Sequence, residues 1–125
     1  MALERPQLEK PTGDIPFELV VEDLAVGEGE EATSGRKVEV HYVGVAFSTG
    51  EEFDASWDRG RPFEFTLGKG QVIPGWDAGV PGMRVGGRRK LTIPSAMAYG
   101  ARGAGGGVIK PHEPLVFVVD LLSVD

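Results

Sequence analysis

A chain of 125 residues is sized for one domain around one core. Its net charge of −6 disfavours nucleic acid, whose binders carry basic surfaces, and the absence of cysteine excludes disulfides, thiolate catalysis and Cys-ligated metals. No apolar run approaches the ~18 residues of a membrane span, and the first ten residues hold no apolar signal core, so no membrane and a cytoplasmic location are expected.

Residues 1–16 scatter Pro6, Pro11 and Pro16 among charges, which predicts a flexible N-terminal arm, followed by one domain over 17–125. Phe17 to Val26 alternates loosely and reads as a strand. Lys37 to Val43 alternates well, with Val38, Val40 and Tyr42 on one face and Lys37, Glu39 and His41 on the other. After a turn at Ser48–Glu51, Glu52 to Ser56 reads as a returning strand and Asp58–Gly60 as a loop. Phe63, Phe65 and Leu67 alternate with Glu64 and Thr66 in a further strand. Pro74 suits the first turn of a helix, because its missing N–H has no intrahelical partner there. Pro81-Gly82 ends that helix, which is therefore too short to stand alone and must be held by a sheet through Trp76. Arg88 to Ile93 is a strand with Leu91 and Ile93 inward; Arg89 shares their parity and is expected at an exposed strand start. Residues 95–114 form a long loop, and Leu115 to Val124 is the clearest strand. The predicted fold is α+β: a twisted antiparallel sheet around one short helix.

Nucleophilic catalysis has little support, since no G-x-S-x-G elbow exists. The two histidines lack zinc-site spacing; His41 reads as an exposed strand residue and His112 as a loop residue. The glycines at 103–107 do not open a helix and make no phosphate loop. Arg84, Arg88, Arg89 and Lys90 read as a solvated patch. The aromatic residues Tyr42, Phe53, Phe63, Phe65, Trp76, Tyr99 and Phe117 come from nearly every element. Many must build the core, yet Asp54 follows Phe53 and Tyr99 lies in the long loop. A carboxylate and a phenol beside aromatic walls suggest a binding cleft with few polar anchors.

The stretches Val40–Gly44, Phe53–Ser56, Pro62–Gly68, Val72–Trp76, Met83–Gly86, Leu91–Pro94, Ala98–Ala101 and Leu115–Phe117, in this order, closely resemble the FKBP family of rapamycin-binding peptidyl-prolyl cis-trans isomerases. The resemblance covers residues 17–125. It implies a half-barrel sheet around the helix and an apolar pocket for a proline ring. It implies Trp76 as the floor, Tyr42, Phe53, Phe63 and Phe117 as walls, and Val72 and Ile73 at the rim. Asp54 and Tyr99 become the catalytic polar groups, Arg59 the partner of Asp54, and Val108 and Ile109 the apolar pair of the long loop. Proline-containing peptides and folding proteins are the implied partners, with rapamycin-type macrolides as ligands, no cofactor or metal, and a monomeric state. Gln71 departs from the family's glutamate, Ala104 stands near a common histidine, and Trp57 adds an aromatic expected near the pocket mouth. The alternative implied function is a peptide-binding module or holdase chaperone in which catalysis is incidental.

Overall fold

The computed structural model describes residues 4–104 and 107–125. The strands are β1 (Val20–Ala25), β2 (Lys37–Ala46), β3 (Glu52–Ala55), β4 (Phe63–Thr66), β5 (Arg88–Ile93) and β6 (Leu115–Val124). The helices are α1 (Ser56–Arg59) and α2 (Pro74–Gly79). All pairings are antiparallel, in the order β1-β5-β6-β2-β3, with β4 also on β2. The long strand β2 is the hub. Along one side it pairs β6; along the other, β4 takes its first half and β3 its second.

Period-two alternation sends Val38, Val40 and Tyr42 of β2, Leu91 and Ile93 of β5, and Leu115, Phe117, Val119 and Leu121 of β6 to one face. There they meet Phe65, Trp76, Val80 and Met83 in a single core. Helix α2 can lie close on this face because Gly75 and Gly79 turn toward β5. A Cβ at Gly75 would sit 2.5 Å from Ile93 Cγ2, and one at Gly79 would sit 2.7 Å from Leu91 Cδ2. Pro74 occupies the first turn of α2, as its sequence position predicts. The Asp77 carboxylate accepts the Gly68 and Gly70 N–H groups at 2.9 and 3.0 Å, tying the preceding loop to the helix.

The opposite face of the sheet is not bare. Val45, Phe47 and Val116 form a second cluster there, and Leu8 of the N-terminal segment packs on it. Residues 4–16 contain no helix or strand, yet Pro6 is buried and Arg5 pairs with Glu52 and Asp58. This covering explains why β6 is buried on both faces from Leu115 to Leu121.

Several local expectations change. Strand β1 starts at Val20 rather than Phe17, whose side chain is 93% exposed. β3 ends at Ala55, and Ser56–Arg59 makes one helical turn where a loop was expected. Gly60 ends that turn at φ 72°, a left-handed angle that glycine adopts without penalty. Arg89 is buried rather than at an exposed start. Its guanidinium donates to the carbonyls of Gly79 at 2.8 Å and Pro81 at 3.1 Å, and pairs with Asp23 at 2.7 Å. Carbonyls at the end of α2 have no intrahelical donor, so a cation entering from the sheet satisfies them. Arg88 pairs with the buried Asp120 at 2.7 Å, so this basic stretch is more than a solvated patch. The 95–114 loop holds two short 3-10 turns, Ser95–Met97 and Gly100–Arg102. It also holds an antiparallel bridge between Ala104 and Ile109. Of the loop-tip glycines, Gly105 and Gly106 lie outside the described residues.

Candidate active site

Between α2 and the open end of the sheet lies a cavity of about 170 Å³, lined by Tyr42, Phe53, Asp54, Phe63, Gln71, Val72, Ile73, Trp76, Tyr99 and Phe117. An apolar cavity of ~150 Å³ accepts a benzene-sized ring, so a five-membered pyrrolidine fits this space. Trp76 is 4% exposed and forms the floor. Its ring centroid lies 5.0 Å from Tyr42 and 5.2 Å from Phe117, both edge-on, and 6.1 Å from Phe63. Phe53 meets Phe117 edge-on at 5.5 Å. Edge-to-face packing at these spacings fixes each ring against its neighbours.

The wall depends on a residue with no side chain. Gly44 of β2 stands opposite Phe117 of β6 and Asp54 of β3. A Cβ at Gly44 would lie 2.6 Å from Phe117 Cε1 and 2.7 Å from Phe53 Cζ. Glycine therefore lets both rings fold over the strand and stand side by side.

The polar edge is a three-residue network. The Tyr42 hydroxyl donates to Asp54 Oδ2 at 2.5 Å. Arg59 donates to Asp54 Oδ1 at 2.6 Å and to the Tyr42 hydroxyl oxygen at 2.8 Å. Burial would raise the Asp54 carboxyl, but hydrogen bonds from Tyr42 and Arg59 outweigh it and hold the group below the usual carboxylate range. Burial, then the hydrogen bond to Asp54, pushes the Tyr42 phenol up to about 12. The hydrogen bonds to Asp54 and then Tyr42 raise Arg59 further above its already high range. At neutral pH the edge is therefore a fixed carboxylate, a neutral phenol and a guanidinium.

Behind this edge, the fully buried Ser56 Oγ accepts the Tyr42 N–H at 2.7 Å and lies 2.8 Å from His41 Nδ1. His41, expected to be an exposed strand residue, is half-buried, and Trp57 stacks on it at 4.2 Å. Trp57 is thus held against the outer side of β2 and does not border the pocket mouth, where the sequence placed it.

Most expected site residues converge, with three exceptions. Val108 and Ile109 are absent from the cavity lining. The Ala104–Ile109 bridge fixes Ile109 against the loop's other limb, and Val108 lies in the turn just before it. Ile109 therefore turns into the core at 6% exposure, and Val108 faces out at 60%. Val108 borders a separate hollow that it shares with Phe53. Arg59 touches the site only through Asp54 and Tyr42. Tyr99 stands at the rim, 41% exposed. Gln71, noted only as a departure, does line the cavity, with its Oε1 accepting the Thr66 N–H at 2.9 Å. The Tyr42 hydroxyl and Ser56 were missed as polar groups. Tyr42 read as an aromatic wall, and Ser56 carries no signal beyond following Asp54 by two residues.

The FKBP-type peptidyl-prolyl cis-trans isomerase family model matches residues 28–122. An FK506-binding protein of Streptomyces anulatus is 60% identical over 124 residues, covering 99% of this chain and 100% of that protein. One from Neisseria meningitidis serogroup A is 58% identical over 106 residues, covering 85% of this chain and 95% of that protein. Among solved structures, AtFKBP13 superposes with a TM-score of 0.78 at 41% identity, covering 86% of this chain and 93% of that one. FkpA from Escherichia coli gives 0.77 at 42% identity, covering 86% of this chain and 48% of that one.

Proposed function

The chain belongs to the FKBP-type peptidyl-prolyl cis-trans isomerase family, and we propose that its aromatic cavity seats the proline ring while Asp54 and Tyr99 flank the rotating bond. The protein is an FKBP-type peptidyl-prolyl cis-trans isomerase. One observation carries the finer reading: a ring-sized cavity floored by Trp76 has the hydrogen-bonded Tyr42, Asp54 and Arg59 group along one edge.

The X-Pro bond turns over a barrier of ~18–20 kcal/mol set by amide resonance. Twisting it removes that resonance and draws charge off the carbonyl oxygen. A cavity walled by Tyr42, Phe53, Phe63 and Phe117 suits the less polar twisted state better than water does. In this reading the Tyr99 phenol, which borders the cavity, meets a substrate carbonyl, and the Asp54 carboxylate, kept ionised, orients the dipole across the cavity. No nucleophile or cofactor enters this scheme. A barrier lowered by ~4 kcal/mol corresponds to roughly a thousandfold acceleration. The preceding residue is expected to be apolar, since Val72 and Ile73 border the cavity.

Relatives named FK506-binding protein support extending the ligand class to rapamycin-type macrolides, which would compete for the same cavity. Exchange NMR on a Leu-Pro peptide, with and without rapamycin, tests both parts. Catalysed exchange suppressed by stoichiometric rapamycin is expected. An uncatalysed rate would sink the isomerase site, and catalysis indifferent to rapamycin would sink the macrolide assignment. In a Trp57→Phe background, where Trp76 is the sole tryptophan, rapamycin should also change the emission.

A further inference from the structure

Arg5 lies on the N-terminal segment, outside the cavity, yet it joins the two elements that carry the polar edge. It donates to both oxygens of Glu52, at 2.6 and 2.7 Å, and to both oxygens of Asp58, at 3.2 and 3.4 Å. Glu52 opens β3, two residues before Asp54; Asp58 sits in α1, one residue before Arg59. We propose that Arg5 is a positioning residue for the isomerase reaction, clamping β3 to α1 so that Asp54, Arg59 and the Tyr42 hydroxyl hold their geometry. The inference rests on the role assigned above to Asp54.

The segment from Glu52 to Gly60 needs such a clamp. β3 has four residues, pairs only β2 among the described residues, and loses register between Gly44 and Val45. α1 is a single turn with no side-chain cap, and one turn does not sustain itself. The Asp54–Arg59 pair and the Tyr42 hydroxyl also link the two elements, but they act at the Asp54 end. Both charged side chains are more than a third exposed, as Glu52 and Asp58 are, so no single pair holds the segment firmly. The charges within the segment are Glu52, Asp54 and Asp58 against Arg59, three negative to one positive. Arg5 brings a second cation to the two carboxylates that Arg59 does not reach, making a network of the pair. Its hydrogen bonds to Glu52, then Asp58, raise the Arg5 guanidinium further above its usual range.

Arg5 also arrives by a fixed route. Pro6 beside it is buried, Leu8 packs on the Val45–Phe47–Val116 cluster, and Arg88 donates to the Glu4 carbonyl. Packing on the far face of the sheet thus places the clamp, so the segment that covers that face is connected to the reaction.

The test is a double-mutant cycle on the full chain with a neutral Leu-Pro peptide, joined to amide hydrogen exchange. Arg5→Ala should lower kcat/KM about threefold to tenfold and speed exchange from Asp54 to Gly60, leaving α2 and β6 unchanged. Arg5→Lys should recover only part of the loss, since one ammonium cannot fork to two carboxylates. In an Asp54→Asn background the same Arg5→Ala change should alter kcat/KM by less than about twofold. Should Arg5→Ala fold poorly, Glu52→Gln with Asp58→Asn removes the clamp's partners instead. Wild-type kinetics and exchange in Arg5→Ala would overturn the clamp and leave the pocket reading standing. A full additive loss in the Asp54→Asn background would overturn it too, because Arg5 would then act elsewhere. Wild-type turnover by Asp54→Asn alone would overturn the pocket reading, and the catalytic half of the clamp with it.

Discussion

Gly44→Ala is the sharpest perturbation the pocket offers, because it adds one methyl where two aromatic walls meet. The new Cβ would lie 2.6 Å from Phe117 and 2.7 Å from Phe53. Carbon atoms rest at ~3.5 Å or more, so the rings must withdraw by roughly 0.9 and 0.8 Å. Phe117 cannot yield, since it is 4% exposed and backed by Trp76 at 5.2 Å. Phe53 is only half-buried, so it takes most of the movement and carries the adjacent Asp54 with it. Overpacking of this kind costs about 1–3 kcal/mol. A domain of this length loses roughly 4 °C in Tm per kcal/mol, which sets the expected fall at about 4–12 °C. A wall displaced by nearly 1 Å should also lower kcat/KM by more than about tenfold. Thermal unfolding and exchange NMR on the same preparation give both numbers. Unchanged Tm together with unchanged kcat/KM would refute the claim that Gly44 is the spacer on which the wall depends.

The phenol of Tyr42 should ionise near 12 in the folded protein. Its folded pKa lies above the ordinary value of ~10, so stability is full below pH ~10 and is lost as pH rises toward the folded value. Ultraviolet titration of Tyr99→Phe isolates Tyr42, and ionisation at an ordinary phenol pH would contradict the burial and the Asp54 hydrogen bond that together raise it. The Asp54 carboxyl shifts the other way: its depressed pKa stabilises the fold above its unfolded value and gives way as pH falls through the folded one. Carboxyl-carbon NMR should therefore show Asp54 titrating below an ordinary aspartate in the wild type and moving upward in Arg59→Gln; no movement would mean that Arg59 does not hold it. Arg89→Ala leaves the Gly79 and Pro81 carbonyls without their donor and should cost about 2–3 kcal/mol in denaturant unfolding. A loss within the ±0.5 kcal/mol typical of surface substitutions would return Arg89 to the exposed strand start that parity suggests.

Local pattern determined a large share of this molecule. The alternation of Val38, Val40 and Tyr42, and of Leu115, Phe117, Val119 and Leu121, decides which face of β2 and β6 meets the helix, because side chains in a strand alternate whatever they pack against. Pro74 and Pro81-Gly82 bracket α2 for reasons that lie within the backbone itself. Ordered motifs spread over the chain identified the family, and Tyr42, Phe53, Phe63, Trp76, Tyr99 and Phe117 of those motifs line the cavity. Tertiary packing decided the rest. Arg89 has the parity of a core residue and the chemistry of a surface one, and only the approach of α2 to β5 supplies the carbonyls that receive it. Val108 and Ile109 are alike in sequence, but the bridge at Ala104 turns one outward and the other into the core. Trp57 leaves the pocket because His41, sixteen residues earlier, offers it a ring to stack on. Tyr42 becomes a polar hub only when β3 and α1 bring Asp54 and Arg59 to its hydroxyl. Each of these depends on which distant chain segment arrives alongside, and periodicity, which is a property of neighbours in sequence, carries no information about that.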